Sequence, residues 1–311
     1  MNQIRPVVVV SQCLEFESCR YNGQAMPNDF VRKLNQYVDF KKVCPEVAIG
    51  MGIPREPIRV VMNHQEKILQ QPATGLDFTQ KMRDFSHSFV NELADVDGFL
   101  LKGRSPSCGI KDVKIFPAID SKIPIGKSSG LFAEAVVQKF EGLAIEDEGR
   151  LHDVRIREHF LTKLFTLARF RQVKQSKNMA ELVQFQSENK LLLMAYNQAQ
   201  MRVLGRLVAN PDKMQISTIL SLYESELKKA LSRPARISNN INALMHALGY
   251  FSKQLQAREK AFFLDALESY RNEKSSFSVM AHLLRSWIVR FETDYLAQQT
   301  FFLPFPDDLN Q

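Results

Sequence analysis

Arg5-Pro6-Val7-Val8-Val9-Val10-Ser11 runs into Cys13, and this short apolar strand with a thiol just past its end decides how the first half is read. The arrangement recurs. Asp39-Phe40-Lys41-Lys42-Val43 leads into Cys44-Pro45-Glu46, and Val96-Asp97-Gly98-Phe99-Leu100-Leu101 leads into Ser105-Pro106-Ser107-Cys108-Gly109. Strands of a parallel sheet end together on one edge, and open α/β folds bind ligands beyond that edge. The spacing therefore predicts that Cys13, Cys44 and Cys108 meet, with Cys19 in the first of the same loops.

Working outward, Ile58 to Met62 reads as a further strand. Asp77 to Leu93 and Gly130 to Phe140 read as helices, from apolar residues recurring at helical spacing. Strands separated by helix-sized segments imply crossovers and a parallel, Rossmann-like sheet. Beyond residue 155 strand signals fade. Leu161–Phe170, Ala180–Asn210, Gln215–Leu231, Asn239–Gln256, Glu259–Tyr270 and Val279–Phe291 all read as helices of a bundle. The expectation is an α/β domain over 1–155 and an all-α domain over 156–311. The Phe301-Phe302-Leu303-Pro304-Phe305 tail is too apolar to hang free.

Composition narrows the function classes. Hydrophobic residues make up 45% and charged residues 24%, an ordinary globular balance. No apolar run is long enough for a membrane span or a secretory signal, so the expected location is cytoplasmic, without membrane association. Cysteines there are kept reduced and serve as metal ligands or catalytic groups. Residues 1–150 hold 19 Lys and Arg against 19 Asp and Glu, while 151–311 hold 22 against 15. The whole net charge of +7 thus belongs to the helical half. An anionic partner, nucleic acid first, fits that half; ordinary solvated helix faces fit it equally well on charge alone.

A structural zinc site usually takes four closely spaced ligands, often as C-x-x-C pairs, and no such pair occurs. Iron–sulfur clusters accept scattered cysteines because a cluster is larger than one ion. Glu46 follows Cys44 by two residues, so it lies beside whatever Cys44 binds and suits proton transfer; helix capping is its competing role. Ser105 and Ser107 flank Pro106 and can hold a water or a substrate oxygen, or merely cap the turn. Arg20, Arg55, Lys102 and Arg104 occupy the same loops and could balance charge or grip phosphate. Gly126-Lys127-Ser128 resembles the end of a phosphate-binding loop, but the glycine it needs is Ser121. In the second half Arg202 and Arg206 lie one turn apart, and Gly205 between them would admit another backbone.

Taken as a set, Ser11-Gln12-Cys13, Cys19-Arg20-Tyr21-Asn22-Gly23, Cys44-Pro45-Glu46 with Gly50-Met51-Gly52-Ile53-Pro54-Arg55, and Ser105-Pro106-Ser107-Cys108-Gly109 resemble the TudS-type thiouracil desulfidase domain. Residues 180–309 resemble the YbgA-type helical domain, through Lys190-Leu191-Leu192-Leu193-Met194-Ala195, Leu204-Gly205-Arg206-Leu207 and His246 to Phe251. The fused order is similar to the RudS proteins, which remove sulfur from thiolated uridine in transfer RNA. The resemblance implies a 4Fe–4S cluster held by Cys13, Cys44 and Cys108, with one open iron for the thiocarbonyl sulfur. It also implies Glu46 and Ser105 as the proton-handling pair, in a hydrolytic, non-redox conversion of 4-thiouridine in tRNA to uridine and sulfide. Arg20, Arg55, Lys102, Arg202 and Arg206 are the candidate tRNA contacts. Glu15-Phe16 replaces the family's usual Leu-Gly, and Gln186 and Tyr196 stand where the helical family often has histidine. Three rival readings stay open: a desulfidase of free thiouracil or thionucleotides, a zinc-stabilised RNA-binding module without catalysis, and a thiol redox protein using Cys13 and Cys19.

Overall fold

The computed structural model describes residues 4–64 and 66–310. The chain forms two compact units, one up to Ala168 together with the segment from Pro306, the other Arg169–Phe305. The division falls inside a single long helix.

The first unit runs β1 (Val7–Ser11), α1 (Asp29–Leu34), β2 (Asp39–Val43), α2 (Pro45–Ala48), β3 (Arg59–Asn63), β4 (Glu66–Gln70), α3 (Thr79–Glu92), β5 (Gly98–Leu101), β6 (Val113–Phe116), β7 (Gly126–Ser128), α4 (Leu131–Lys139), β8 (Ala144–Asp147) and the start of α5 (Val154–Ser176). One sheet has the order β2-β1-β5-β8 and every pairing in it is parallel. The four-valine run fixes its centre. Val8, Val9 and Val10 are fully buried, and Phe99, Leu100 and Leu101 of β5 are equally enclosed beside them. Strands covered on both faces read as continuous apolar runs. Gly98 is required where β5 meets β8 and α5: a Cβ there would lie 2.7 Å from Ala144 O and 2.9 Å from Leu164 Cδ1.

The segment from Ile58 is a strand but does not join that sheet. β3 lies in a second, mixed sheet of order β4-β3-β6-β7, parallel to β6 and flanked by two antiparallel pairings. Strand propensity shows that a segment is extended, not which partner it finds. α3 packs on α4 through Phe85, Phe89 and Phe132, whose ring centroids lie 5.4 to 6.1 Å apart across the helices.

The second unit contains the rest of α5, then α6 (Met179–Glu188), α7 (Lys190–Ala209), α8 (Ile216–Ala230), α9 (Ile237–Tyr250), α10 (Ala257–Arg271), α11 (Phe277–Arg290) and α12 (Asp294–Ala297). The helix expected over Ala180–Asn210 is interrupted by non-helical backbone at Asn197 (φ −159°, ψ 98°) and broken into α6 and α7 at the buried Asn189. No Gly or Pro marks the break. A distant side chain makes it: buried Gln299 accepts from Leu191 N at 3.1 Å and donates to Ser187 O at 2.8 Å. It thereby satisfies backbone groups that both helix ends leave open. The aromatic tail packs as expected, with Phe301 and Phe302 in the helical core. Among the described residues, no helix is long and apolar enough to cross a membrane.

Candidate metal centre

Each thiol is placed by the element before it. β1 ends at Ser11, and the chain turns so that Met26 N donates to Cys13 O at 2.8 Å while Glu15 N donates to Met26 O at 2.9 Å. Glu15 adopts a left-handed φ of 71°, and its carboxylate accepts from Asn28 N at 2.6 Å and Arg32 Nε at 2.8 Å. Phe16 packs edge-on against Phe40 at 5.4 Å. The two departures from the family pattern therefore build this loop through their own contacts. Cys44 is the N-cap of α2, and Pro45 starts the helix where its missing N–H costs nothing. The Ser105–Cys108 turn is clamped by α4: Gly130 N donates to Gly109 O at 2.8 Å and Ala133 N to Ser107 O at 3.0 Å. Gly130 has no alternative, since a Cβ there would stand 2.5 Å from both Pro106 O and Ser107 O.

These loops bring all four sulfurs into one neighbourhood. Cys13, Cys19 and Cys108 are buried and Cys44 is half-buried, all as free thiols. Burial lifts the Cys13 thiol well above its ordinary range, and the nearby charges of Cys108, Cys19 and Cys44 lift it further, against the lowering pull of Lys102. Burial, then the charge and side-chain hydrogen bond of Cys44, pushes Cys19 up to about 12. Burial pushes Cys108 up to about 12 as well, with a hydrogen bond from Ser11 opposing it. Three buried thiols whose ionisation burial disfavours gain greatly from a cation among them, which stabilises thiolates outright.

Among the described residues, no three His, Cys, Asp or Glu side chains form a group that could hold a single metal ion. A zinc ion needs its ligands about 2.3 Å from one point. All-sulfur donors are the ligand set of iron–sulfur centres.

Glu46 lies beside this group in a fixed pose. Arg55 donates to its Oε2 from Nε at 2.9 Å and from Nη2 at 2.5 Å. Ser107 Oγ donates to its Oε1 at 2.7 Å, whereas Ser105 Oγ stands 3.5 Å from the same oxygen. Ser105 and Ser107 are joined at 2.9 Å, and Ser107 Oγ is 3.8 Å from Cys108 Sγ. Ser105 reaches Glu46 mainly through Ser107, so Ser107 is the residue whose role the sequence understated.

The candidate cations divide. Arg55 is buried, and its guanidinium is taken up by Glu46, Cys19 O and Gly52 O. Lys102 pairs with Glu148, whose other oxygen accepts from Gly103 N at 2.7 Å. Arg20 lies over the exposed ring of Tyr21 at 5.6 Å. Arg202 and Arg206 are exposed on α7. A Cβ on Gly205 would meet only Gln186 Nε2, at 3.8 Å, so no backbone crosses there. Gln186 accepts from Tyr223 OH at 2.5 Å. A cleft of about 800 Å³, lined by none of the four cysteines, has Lys102, Arg104, Asp147, Glu148 and His152 among its walls. Glu148 was readable only as the acidic turn that follows the short apolar run Leu143-Ala144-Ile145.

Comparison with known proteins finds a match for each part of the chain. Residues 8–148 match the family model described as 2-thiouracil desulfurase. Residues 190–306 match DUF1722, described as a protein family of unknown function. YbbK of Bacillus subtilis (strain 168) is 29% identical over 158 residues, covering 48% of this chain and 99% of its own length. YbgA of Escherichia coli (strain K12) is 24% identical over 176 residues, covering 56% of this chain and 95% of its own. Among solved structures, the [4Fe-4S]-dependent thiouracil desulfidase TudS is 24% identical, covering 48% of this chain and 95% of that one, with a TM-score of 0.39. The chain thus joins a domain of the 2-thiouracil desulfurase family, residues 8–148, to a domain of the DUF1722 family, residues 190–306.

Proposed function

We propose that the protein is an iron–sulfur-dependent desulfidase that converts 4-thiouridine in tRNA to uridine and sulfide. The observation that carries this reading is the pairing of a buried all-sulfur group with a carboxylate fixed beside it, inside a segment of the 2-thiouracil desulfurase family. Cys13, Cys44 and Cys108 would hold a 4Fe–4S cluster, with Cys19 next to Cys44. When bound, that cluster supplies a Lewis-acidic iron for a soft sulfur atom.

The chain's own residues supply the rest. Arg55 occupies Glu46 Oε2, which leaves Oε1 to accept the proton of an attacking water. Ser107 and Ser105 border that oxygen and orient the water through their hydroxyls. A carbon–oxygen bond forms at the ring carbon, the carbon–sulfur bond breaks, and sulfur departs as hydrosulfide. Water supplies the oxygen and the protons, so no electrons are gained or lost. Support for tRNA comes from the basic excess of residues 151–311 and from exposed Arg202 and Arg206. A base within folded RNA must be splayed out to reach a buried centre.

A second reading, desulfuration of free thiouracil or a thionucleotide, is favoured by the family's description. Anaerobic iron and sulfide quantification, followed by nucleoside analysis of treated thiolated tRNA and of free 4-thiouridine and thiouracil, tests both. Loss of 4-thiouridine from tRNA, weakened by rising salt, is the expected result. Turnover of the free compounds alone would replace the tRNA reading with the second. Zinc without iron or labile sulfide would end both.

A further inference from the structure

The cleft of about 800 Å³ opens where β5 and β8 end, and every residue lining it belongs to the first unit. The edge beyond the carboxyl ends of parallel strands is where open α/β sheets take ligands. The volume is that of a pocket for a small organic ligand. On its walls five Lys and Arg side chains meet four carboxylates. The carboxylates are all engaged within the protein. Glu148 accepts from Lys102 and from Gly103 N at 2.7 Å, and Asp147 from Arg150 N at 2.9 Å. Asp112 accepts from Arg104 N at 2.9 Å and Asp29 from Arg32 Nη1 at 2.9 Å. The cations are not all answered. Arg157, half-buried on α5, forms no ion pair among the described residues, and its enclosed Nε has no hydrogen-bond partner. Lys33 is exposed on α1, also without a side-chain partner among the described residues. A guanidinium drawn half out of water with nothing opposite it is unfavourable until an anion arrives.

We propose that this cleft binds a phosphate group, held by Arg157 and Lys33, and that the phosphate is that of the thiolated nucleotide. A guanidinium presents a planar fork of N–H donors that matches phosphate oxygens, and an ammonium adds a point charge beside it. The inference deepens the proposed function and rests on it for the identity of the nucleoside. It places part of the phosphate grip in the unit that carries the thiols, apart from Arg202 and Arg206 in the helical unit. A free nucleotide and an RNA backbone present the same chemistry here, and the test separates them.

The full-length wild type, Arg157→Gln, Arg157→Lys and Lys33→Gln are titrated calorimetrically at low salt with uridine 5′-monophosphate, with uridine, and with a uridine oligonucleotide lacking terminal phosphates. Expected is tighter binding of a phosphate-bearing probe than of uridine. Arg157→Gln should weaken that binding at least about 10-fold, the worth of a charge-assisted hydrogen bond. Arg157→Lys should recover part of it. Loss confined to the monophosphate identifies a free nucleotide as the source, and loss confined to the oligonucleotide identifies RNA. Loss with both probes leaves the shared phosphate as the ligand. Unchanged binding in Arg157→Gln overturns the site, as does a wild type that binds uridine as tightly as either phosphate-bearing probe. Should Arg157→Gln fail to fold, the exposed replacement Lys33→Gln decides, and unaltered binding there overturns the site. Iron content and conversion of 4-thiouridine are measured on the same preparations. A wild type without iron ends the desulfidase reading whatever the titrations show, whereas unchanged binding in iron-replete, active variants ends only the cleft.

Discussion

Arg55 grips one oxygen of Glu46 with two nitrogens, Nε at 2.9 Å and Nη2 at 2.5 Å, while its own side chain is only 5% exposed. The same guanidinium ties down Cys19 O and Gly52 O, each at 3.0 Å, so one residue joins the carboxylate to two of the loops around the thiols.

Replacing Arg55 with Ala leaves a buried carboxylate without its partner. Removing one member of a buried pair costs about 3–5 kcal/mol. Chemical denaturation of the variant is expected to show a loss of that order. Turnover should fall at least about 100-fold, the usual contribution of a positioned proton acceptor. Arg55→Lys should recover stability only in part, since an ammonium cannot form the two-pronged contact. Unchanged turnover in Arg55→Ala would remove Glu46 from the reaction.

The two serines are expected to separate. Ser107→Ala removes the 2.7 Å bond to Glu46, whereas Ser105→Ala removes a 3.5 Å approach and the hydrogen bond to Ser107. Steady-state kinetics should show the larger fall in kcat for Ser107→Ala, with KM little altered in either. The reverse order would make Ser105 the direct contact during turnover.

Cysteine replacements count the ligands. Cys13→Ala, Cys44→Ala and Cys108→Ala are each expected to abolish iron retention, and Cys19→Ala to keep it. Anaerobic iron analysis reads the result directly. Loss of iron in Cys19→Ala would give the centre a fourth protein ligand and close the site needed by substrate.

Gly130→Ala forces a methyl to within 2.5 Å of two backbone carbonyl oxygens of the Cys108 turn. Backbone cannot swing aside as a side chain can, and such overpacking costs about 1–3 kcal/mol. Iron content per chain should drop although no ligand has changed. Full occupancy with unaltered melting would show that the turn can shift without loss.

Acid sensitivity has a specific source in α5. Burial, then the positive charge of Lys163, lowers His159 from 6.5 to about 4. The unfolded chain therefore binds this proton more readily than the folded one between about pH 6.5 and 4. Stability from a neutral His159 is complete above pH 6.5 and is lost as pH falls through that window. The full shift corresponds to about 3 kcal/mol. Denaturation midpoints across pH 4–7 should flatten in His159→Gln, and an identical slope would assign the effect to other groups.

Much of this was legible in the chain. Val7 to Val10 could only be a buried strand, and turn residues following Val43 and Leu101 marked where two more ended. Parallel geometry then delivered the cysteines to one edge, because every strand of that sheet points the same way. Partner choice was harder. The extended segment from Arg59 entered a second sheet, and Gln299 cut a helix more than a hundred residues earlier in the chain. Neither leaves a local mark. Arg55 reads as a cation free to meet phosphate until its fold places Glu46 against it, and Ser107 is indistinguishable from Ser105 until the turn around Pro106 is closed.

The register of β1 has a consequence for how the protein matures. Ser11 pairs with Val43 on one side of the sheet's edge, and Leu100 of β5 stands beside Val10 on the other. A nascent chain in which β5 has not yet docked presents two isolated thiol loops and no third corner. Under the proposed assignment of Cys13, Cys44 and Cys108 to one cluster, its loading belongs after synthesis has passed Cys108 and the strands have aligned. Protein made under iron starvation should then be a folded receptacle, ready for reconstitution without being unfolded first.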